Sequence, residues 1–95
     1  MRPNIELIHA LSDGKLLELL SDLEHKRWAN WQKYVHEKCS KNPDGSLTIP
    51  KESVEWWESE IATPYKDLTE AQKESDRREV REFLELAIEY LSEKI

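Results

Sequence analysis

Apolar residues recur at helical spacing along most of the chain and predict a helical fold. The group at positions 5–11, preceded by Pro3, predicts a short first helix that ends near Ser12-Asp13-Gly14. Asp13 then stands where its side chain can cap a long second helix from about Lys15 to about Cys39. The first half of the chain therefore reads as a short helix followed by a long one.

A loop of turn-forming residues separates the second helix from the third. Positions 41–46 read Lys-Asn-Pro-Asp-Gly-Ser, the strongest break in the periodic pattern. The third helix is predicted to start at Thr48-Ile-Pro50, since proline is tolerated in a first turn, and to run to about Ile61. Thr63-Pro64-Tyr65 stops it. Leu47-Thr48-Ile49 is too short to build a sheet, and no stretch alternates as a surface strand does.

A capping-box pattern predicts the start of the last helix. Thr69 and Gln72 stand three residues apart, so that each side chain can bond the backbone amide of the other, and the helix is predicted to reach about Glu93. The predicted fold class is all-α, a compact bundle of three to four helices, of which two are long and one or two are short. Residues 1–95 are expected to form a single domain, because a chain of this length buries one modest core.

Both long helices carry charged residues on the stripe that is predicted to be buried. On the second helix the stripe consists of Leu17, Leu20, Glu24, Trp28, Trp31 and Val35, with Leu16 and Leu23 beside it. On the last helix it consists of Val80, Phe83, Leu84, Ala87 and Leu91, and it continues toward Lys73 and Asp76 with Arg77 at its edge. Glu24 and Asp76 are therefore assigned to a structural polar core. Its simplest form is a salt bridge between Glu24 and Arg77 that fixes helix register and binds nothing.

Aromatic rings beside cations give a second interpretation of the same residues. Trp28, Trp31 and Tyr34 recur at three-residue steps among charges, and Trp56, Trp57 and Tyr65 form a second concentration. Flat rings next to cations stack planar anionic ligands, although the same rings can also fill the core of a small helical domain. In the binding interpretation Trp28, Trp31 or Tyr65 stacks a base, and Lys73, Arg77 or Arg78 holds its phosphates.

Charge and composition exclude several classes of function. The net charge of −6 argues against a general binder of duplex nucleic acid, which needs an electropositive face. No apolar run reaches the length that spans a bilayer and no apolar signal region follows the start, so a cytoplasmic protein without a membrane partner is expected. The lone Cys39 excludes an internal disulfide and a thiolate metal site.

Catalytic and metal-binding patterns are weak in this sequence. His9, His25 and His36 do not share a metal-ligand spacing, so no metal is expected. His25 could act as a general base beside Glu24, but the sequence supplies no nucleophile for it. No phosphate-binding glycine loop or nucleophile motif occurs. We therefore expect a protein that is not an enzyme and that carries no cofactor.

Two segments of the chain resemble the RyR repeat domain. The first is His25-Lys-Arg-Trp28. The second runs from Thr63 to Arg77 and reads Thr-Pro-Tyr-Lys-Asp-Leu-Thr-Glu-Ala-Gln-Lys-Glu-Ser-Asp-Arg. The family pattern has a helix with His-x-x-Trp, followed later by Pro-Tyr-x-x-Leu-x-x-x-x-Lys-x-x-Asp-Arg and a leucine-rich last helix. The resemblance covers roughly residues 20–90, and its second motif is the more specific one.

The resemblance implies a mostly helical fold, sometimes with a small strand pair, and a cleft for nucleotide-like ligands. In prokaryotic and phage settings such domains are associated with nucleotide-signalled antiviral defence or with proteins that counter it. Receptor repeats come in tandem, whereas this chain holds one copy, so a homodimer or a higher homo-oligomer is expected. Trp56 is the candidate contact for that assembly.

These patterns lead to two hypotheses of function. The first is a non-enzymatic, oligomeric module that binds a nucleotide-derived signal, a cyclic nucleotide or an ADP-ribose-type molecule. A phage anti-defence sponge, which would act in the host cytoplasm, fits this chemistry. His25 is counted with the ligand-binding residues. The alternative is a protein–protein interaction or assembly domain that uses exposed tryptophan side chains.

Overall fold

The computed structural model of the protein describes residues 4–94. Within these residues four α-helices, a short antiparallel strand pair and one 3₁₀ turn follow one another. They are α1 (Ile5–Leu11), α2 (Gly14–Lys38), β1 (Ser40–Lys41), β2 (Leu47–Thr48), α3 (Lys51–Ala62), the 3₁₀ turn (Tyr65–Asp67) and α4 (Glu70–Lys94). The all-α class and its two long helices are confirmed. Pro3, which the sequence pattern placed ahead of the first helix, lies outside the described residues.

Local capping contacts explain where the helices begin. The backbone N–H of Lys15 donates to Oδ1 of Asp13 at 3.0 Å, so Asp13 caps α2 as predicted. At the start of α4 the N–H of Gln72 donates to Oγ1 of Thr69 at 3.2 Å, and the N–H of Thr69 donates to Oε1 of Gln72 at 3.0 Å. This reciprocal pair is the predicted capping box. Asn4 caps α1 through the N–H of Leu7, at 3.0 Å from its Oδ1.

The loop between α2 and α3 forms a two-residue β-ladder that the sequence pattern did not predict. Ser40 pairs with Thr48, and Lys41 pairs with Leu47. The expectation that the segment around Leu47 is too short for a sheet is therefore wrong. The side-chain amide of Asn42 donates to Oγ1 of Thr48 at 3.0 Å, and this contact across the loop holds the two short strands together.

The chain divides into two compact units. Of the described residues, 4–27 and 76–94 form the first unit, and 28–75 form the second. Both long helices contribute to both units, because α2 continues past residue 27 and α4 begins before residue 76. The single domain that the length suggests remains a prediction.

The core of the first unit depends on one side chain from each long helix. Leu16 of α2 is 1% exposed and Tyr90 of α4 is 6% exposed, and these are the buried hydrophobic side chains among the described residues. The hydroxyl of Tyr90 donates a short hydrogen bond to the carboxylate of Asp13, the residue that caps α2. One carboxylate therefore fixes the first turn of α2 and also ties it to the last turns of α4.

The buried face of α2 differs from the predicted one. Leu16, Leu20 and Leu23 lie on its less exposed side, whereas Leu17 is 63% exposed. From the angular spacing of residues in an α-helix, the centre of this face lies about 70° around the helix axis from the centre of the predicted stripe. Because Asp13 and Tyr90 fix the start of α2, Leu16 and not Leu17 faces the interior of the first unit.

The predicted stripe of α4 is correct in part. Phe83, Ala87 and Leu91 are half-buried, as predicted. Val80 and Leu84, which were assigned to the core, are exposed. Tyr90, which the stripe omitted, is the buried residue. A tyrosine can be buried at this position because its hydroxyl has the Asp13 carboxylate as an acceptor.

The neighbouring leucines of α2 offer a matched test of this core. We expect Leu16→Ala to lower the free energy of unfolding by about 2–5 kcal/mol, because it opens a cavity at a fully buried site. Leu17→Ala at the exposed neighbour should change it by no more than about 0.5 kcal/mol. Urea unfolding followed by circular dichroism measures both. Equal losses in the two variants would contradict the assignment of the buried face.

The Tyr90–Asp13 hydrogen bond predicts an alkaline pH dependence of stability. This bond raises the pKa of Tyr90 to about 12, whereas the pKa of tyrosine in an unfolded chain is about 10. The protonated hydroxyl is therefore favoured by folding. Its stabilisation is fully present below pH ~10 and is lost as pH rises through about 12.

Melting temperatures measured from pH 8 to 12 test this dependence. The wild type should fall more steeply than Tyr90→Phe above pH ~10, because only the wild type loses the bond by ionisation. Tyr34→Phe, which removes an exposed tyrosine hydroxyl, serves as the control and should keep the steep fall of the wild type. Parallel curves for wild type and Tyr90→Phe would contradict the contact.

Candidate ligand-binding site

Three aromatic rings meet in the second unit, where the C-terminal half of α2 and α3 supply them. The ring centroids of Trp31 and Tyr34 lie 5.4 Å apart with an interplanar angle of 28°, a stacked arrangement. Trp57 of α3 lies 6.3 Å from Trp31 with its ring tilted by 59°. Trp31 and Tyr34 meet because residues three apart are neighbours on a helix surface. The rings of α2 are therefore joined to α3 through Trp57.

A concavity opens beside these rings, and we call it the aromatic concavity. Its volume is about 250 Å³, and it is lined by Tyr34, Lys38, Glu52, Ser53, Trp56 and Trp57. Trp56 is 57% exposed, so its indole face is accessible to solvent. All six residues belong to the second unit. The concavity thus combines two indoles and a phenol with one ammonium, one carboxylate and one hydroxyl group.

The cation of this concavity is Lys38. Its Nζ atom lies 5.3 Å from the centroid of the Tyr34 ring, within the range of a cation–π contact. Lys38 follows Tyr34 by four residues, so the two side chains lie on the same face of α2. This contact holds an ammonium group over the Tyr34 ring, where it can pair with the anionic part of a planar ligand.

The first turn of α3 lies at the same concavity through Glu52 and Ser53. Pro50 precedes α3 and makes no side-chain capping bond to it. The first backbone hydrogen bond of this helix is donated by the N–H of Val54 to the carbonyl oxygen of Pro50. The N-terminal end of a helix carries partial positive charge and favours anions. Glu52 adds an acceptor that suits the amino group of a base, so the concavity carries both donors and an acceptor.

A second ring and cation meet at the 3₁₀ turn. Nζ of Lys73 lies 5.7 Å from the centroid of the Tyr65 ring and 3.9 Å from Oε1 of Glu70. The side chain of Lys73 is mostly covered, whereas Tyr65 is exposed. Tyr65 and Lys73, both of which were predicted to bind the ligand, are therefore in contact, with Glu70 as a third member. Their role in ligand binding stays a prediction.

The remaining predicted ligand-binding residues are divided between the two units. Trp28 is exposed and belongs to the second unit with the other rings. His25, Arg77 and Arg78 belong to the first unit, where His25 and Arg78 are exposed and Arg77 is half-buried. Their convergence with the rings stays a prediction. Lys38 and Lys73 each lie at the ring of a tyrosine.

The predicted polar core at Glu24 and Asp76 is wrong, because both residues are exposed. Glu24 accepts two hydrogen bonds from Arg27 of the same helix, from Nε at 2.7 Å and from Nη2 at 2.6 Å. This bidentate bond lowers the pKa of the Glu24 carboxyl group. Because the buried face of α2 is rotated, Glu24 points to solvent and its near neighbour Arg27 pairs with it.

Sequence reasoning missed Lys38, Glu52, Ser53 and Trp57 as members of the site. The signal for Lys38 was present, since a tyrosine and a lysine four residues apart on a predicted helix can form a ring–cation pair. The α3 residues gave no such signal, because their place beside Tyr34 depends on the path of the chain through the β-ladder. Trp57 was counted with Trp56 and Tyr65 in the second concentration of rings but was given no ligand-binding role.

Comparison of the chain with protein families, with curated proteins and with solved structures finds no match in any of the three. The resemblance to the RyR repeat domain therefore stays a prediction. Among residues 4–94 no helix is long and apolar enough to cross a membrane. In the same range no group of three or more His, Cys, Asp and Glu side chains is arranged to hold a metal ion.

The exposed Glu24–Arg27 pair predicts a small effect of substitution at neutral pH. We expect Glu24→Gln to shift the melting temperature by no more than ~3 °C, since exposed ion pairs contribute little. Because the folded pKa of Glu24 is lowered, any stabilisation is present at neutral pH and is lost as pH falls through that pKa. Melting curves at pH 7 and pH 3 measure it. A large fall in the melting temperature of Glu24→Gln at pH 7 would contradict this expectation and support a buried polar core at Glu24.

Proposed function

We propose that this protein is a non-enzymatic binder of a nucleotide-derived signalling molecule, of the cyclic-nucleotide or ADP-ribose type. The aromatic concavity is the proposed binding site. The observation that supports the proposal most is the position of the Lys38 ammonium at the ring of Tyr34 in a hollow that Trp56 and Trp57 also line. Such a hollow offers one surface for a planar base and a neighbouring charge for a phosphate.

The energetics of this site suit reversible binding. Stacking on an aromatic side chain contributes about 1–3 kcal/mol per base, without strong preference for the base. A charge-assisted bond from Lys38 to phosphate adds to that contribution. The volume of about 250 Å³ lies below the range of about 300–1,000 Å³ for pockets of drug-sized ligands. The base would therefore occupy the hollow, while the phosphates lie at its rim beside Lys38.

The groups at the concavity support capture of a ligand without its conversion. The rings, the ammonium group of Lys38 and the carboxylate of Glu52 supply stacking, charge and hydrogen bonding. We propose on this basis that the ligand is released intact. Together with the resemblance to the RyR repeat domain, this suggests a sponge that sequesters an immune messenger, as in a phage protein that counters host defence. An oligomeric state is part of the same proposal.

A second candidate function is recognition of a protein partner. Val54 and Ile61 of α3 are both exposed and lie seven residues apart, which places them on one flank of the helix. This apolar flank is separate from the side of α3 that carries Trp56. This exposed apolar flank favours contact with a protein partner, and ligand binding at the aromatic concavity does not require such a flank.

Calorimetric titration with ADP-ribose and with cyclic AMP tests the proposed site. We expect saturable binding to the wild type, and affinity should fall roughly 5- to 150-fold in Trp56→Ala, which corresponds to the loss of one stacking contact. Lys38→Gln should also weaken binding, because it removes the phosphate contact. Lys66→Gln and Ile61→Ala are matched controls at exposed positions of the second unit, and both should bind as the wild type does.

Two results would overturn the proposal. Absence of binding to a broad nucleotide panel, with a co-purifying polypeptide that Ile61→Ala releases, would favour the protein-partner function. Mass spectrometry of the ligand after release gives the other result. A chemically altered nucleotide would move the protein to the enzyme class.

A further inference from the structure

A stripe of exposed apolar side chains runs along α4 in the first unit. Val80, Leu84 and Ile88 follow one another at four-residue steps, and they are 55%, 55% and 61% exposed. Residues four apart lie on one face of a helix, so the three side chains form one continuous row. The row spans about 12 Å along the helix axis. We call it the α4 stripe.

The α4 stripe lies beside the buried face of the same helix and does not coincide with it. Tyr90 points to the interior, and Leu86 is half-buried. The burial of Tyr90 thus fixes how α4 is rotated and leaves the stripe at the surface. A row of large aliphatic side chains at such exposure is typical of a surface that another molecule covers.

The order of the residues in the stripe is self-complementary. Two α4 helices that run antiparallel about a two-fold axis at Leu84 bring Leu84 against its own copy. The same axis places Val80 of one chain against Ile88 of the other. A two-fold interface uses one surface patch on both subunits, and this row satisfies that requirement along its full length.

The charges of α4 favour the antiparallel arrangement. Its basic part is residues 77–81, which carry Arg77, Arg78 and Arg81 with one acid, Glu79, whereas residues 82–93 carry four glutamates and no cation. Antiparallel pairing brings the basic part of each helix beside the acidic part of the other, and in particular Arg81 beside Glu85 of the second copy. Parallel pairing would place like charges together, which costs stability.

A second copy of the chain matches the stripe in both its apolar residues and its flanking charges. From the stripe and the charges we infer that two copies of the chain form an antiparallel α4–α4 dimer. The inference does not depend on the ligand site in the second unit.

The mass of the full chain in solution, measured by light scattering after size-exclusion chromatography, tests the dimer. We expect twice the chain mass of 11.3 kDa. Leu84→Glu should convert the protein to a monomer with unchanged helical circular dichroism, because it places two carboxylates at the two-fold axis. Leu17→Glu, at an equally exposed leucine of α2, should leave the dimer intact. A monomeric wild type, or dimer loss in both variants, would overturn the inference.

Oxidative cross-linking tests the antiparallel register. Helix axes 8–10 Å apart bring the two Cα atoms of a residue on the two-fold axis to within about 4–6 Å, the reach of a disulfide. In a Cys39→Ser background, Leu84→Cys should therefore form a cross-linked dimer. The Ile88→Cys variant should not, because its two copies lie about 12 Å apart along the axis. Equal cross-linking at both positions indicates parallel helices and overturns the register.

Discussion

The shortage of buried apolar surface is the constraint on which this structure depends. Leu16 and Tyr90 are the buried hydrophobic side chains among the described residues, and the Asp13 carboxylate links them by capping α2 and accepting the Tyr90 hydroxyl. A chain with so small a core leaves most of its large side chains at the surface. The exposed indoles and the α4 stripe are two results of the same constraint.

The exposed residues of the two units differ in their chemistry. In the second unit the rings of Trp31, Tyr34 and Trp57 contact one another, and Lys38 lies over one of them. This combination suits a flat ligand that carries negative charge. In the first unit the exposed apolar residues of α4 are aliphatic and are flanked by charges of both signs. Such a surface suits contact with the same helix of a second copy of the chain. The proposed ligand and the proposed second copy thus follow from different surface chemistry.

The helix boundaries could be predicted from the sequence because their signals are local. Asp13 and the Thr69–Gln72 pair act within three residues, so their pattern is visible in the linear chain. The buried face of α2 could not be predicted in this way. Leucines stand on two faces about 70° apart, and the choice between them depends on a contact between Asp13 and Tyr90, 77 residues apart. The mistaken face then placed Glu24 in the core.

The candidate site shows the same division between local and long-range signals. The rings of α2 and the Tyr34–Lys38 pair lie on one helix, and their spacing alone brings them together. Glu52 and Trp57 line the concavity because the chain turns back through the β-ladder between Ser40 and Thr48. The strands of this ladder are two residues long, which is too short to be predicted from the sequence pattern. Lys38 lines the concavity, so in the proposed site it takes the phosphate-binding role that the sequence assigned to Lys73, Arg77 and Arg78.

Nuclear magnetic resonance of the four indole N–H groups during a titration with ADP-ribose tests whether the aromatic concavity binds the nucleotide. We expect saturable shifts of the Trp56 and Trp57 signals with one common dissociation constant, because both rings line the hollow that receives the base. Trp28 does not line this hollow, and its signal should change least. Unchanged Trp56 and Trp57 signals at saturating nucleotide would contradict binding at this concavity.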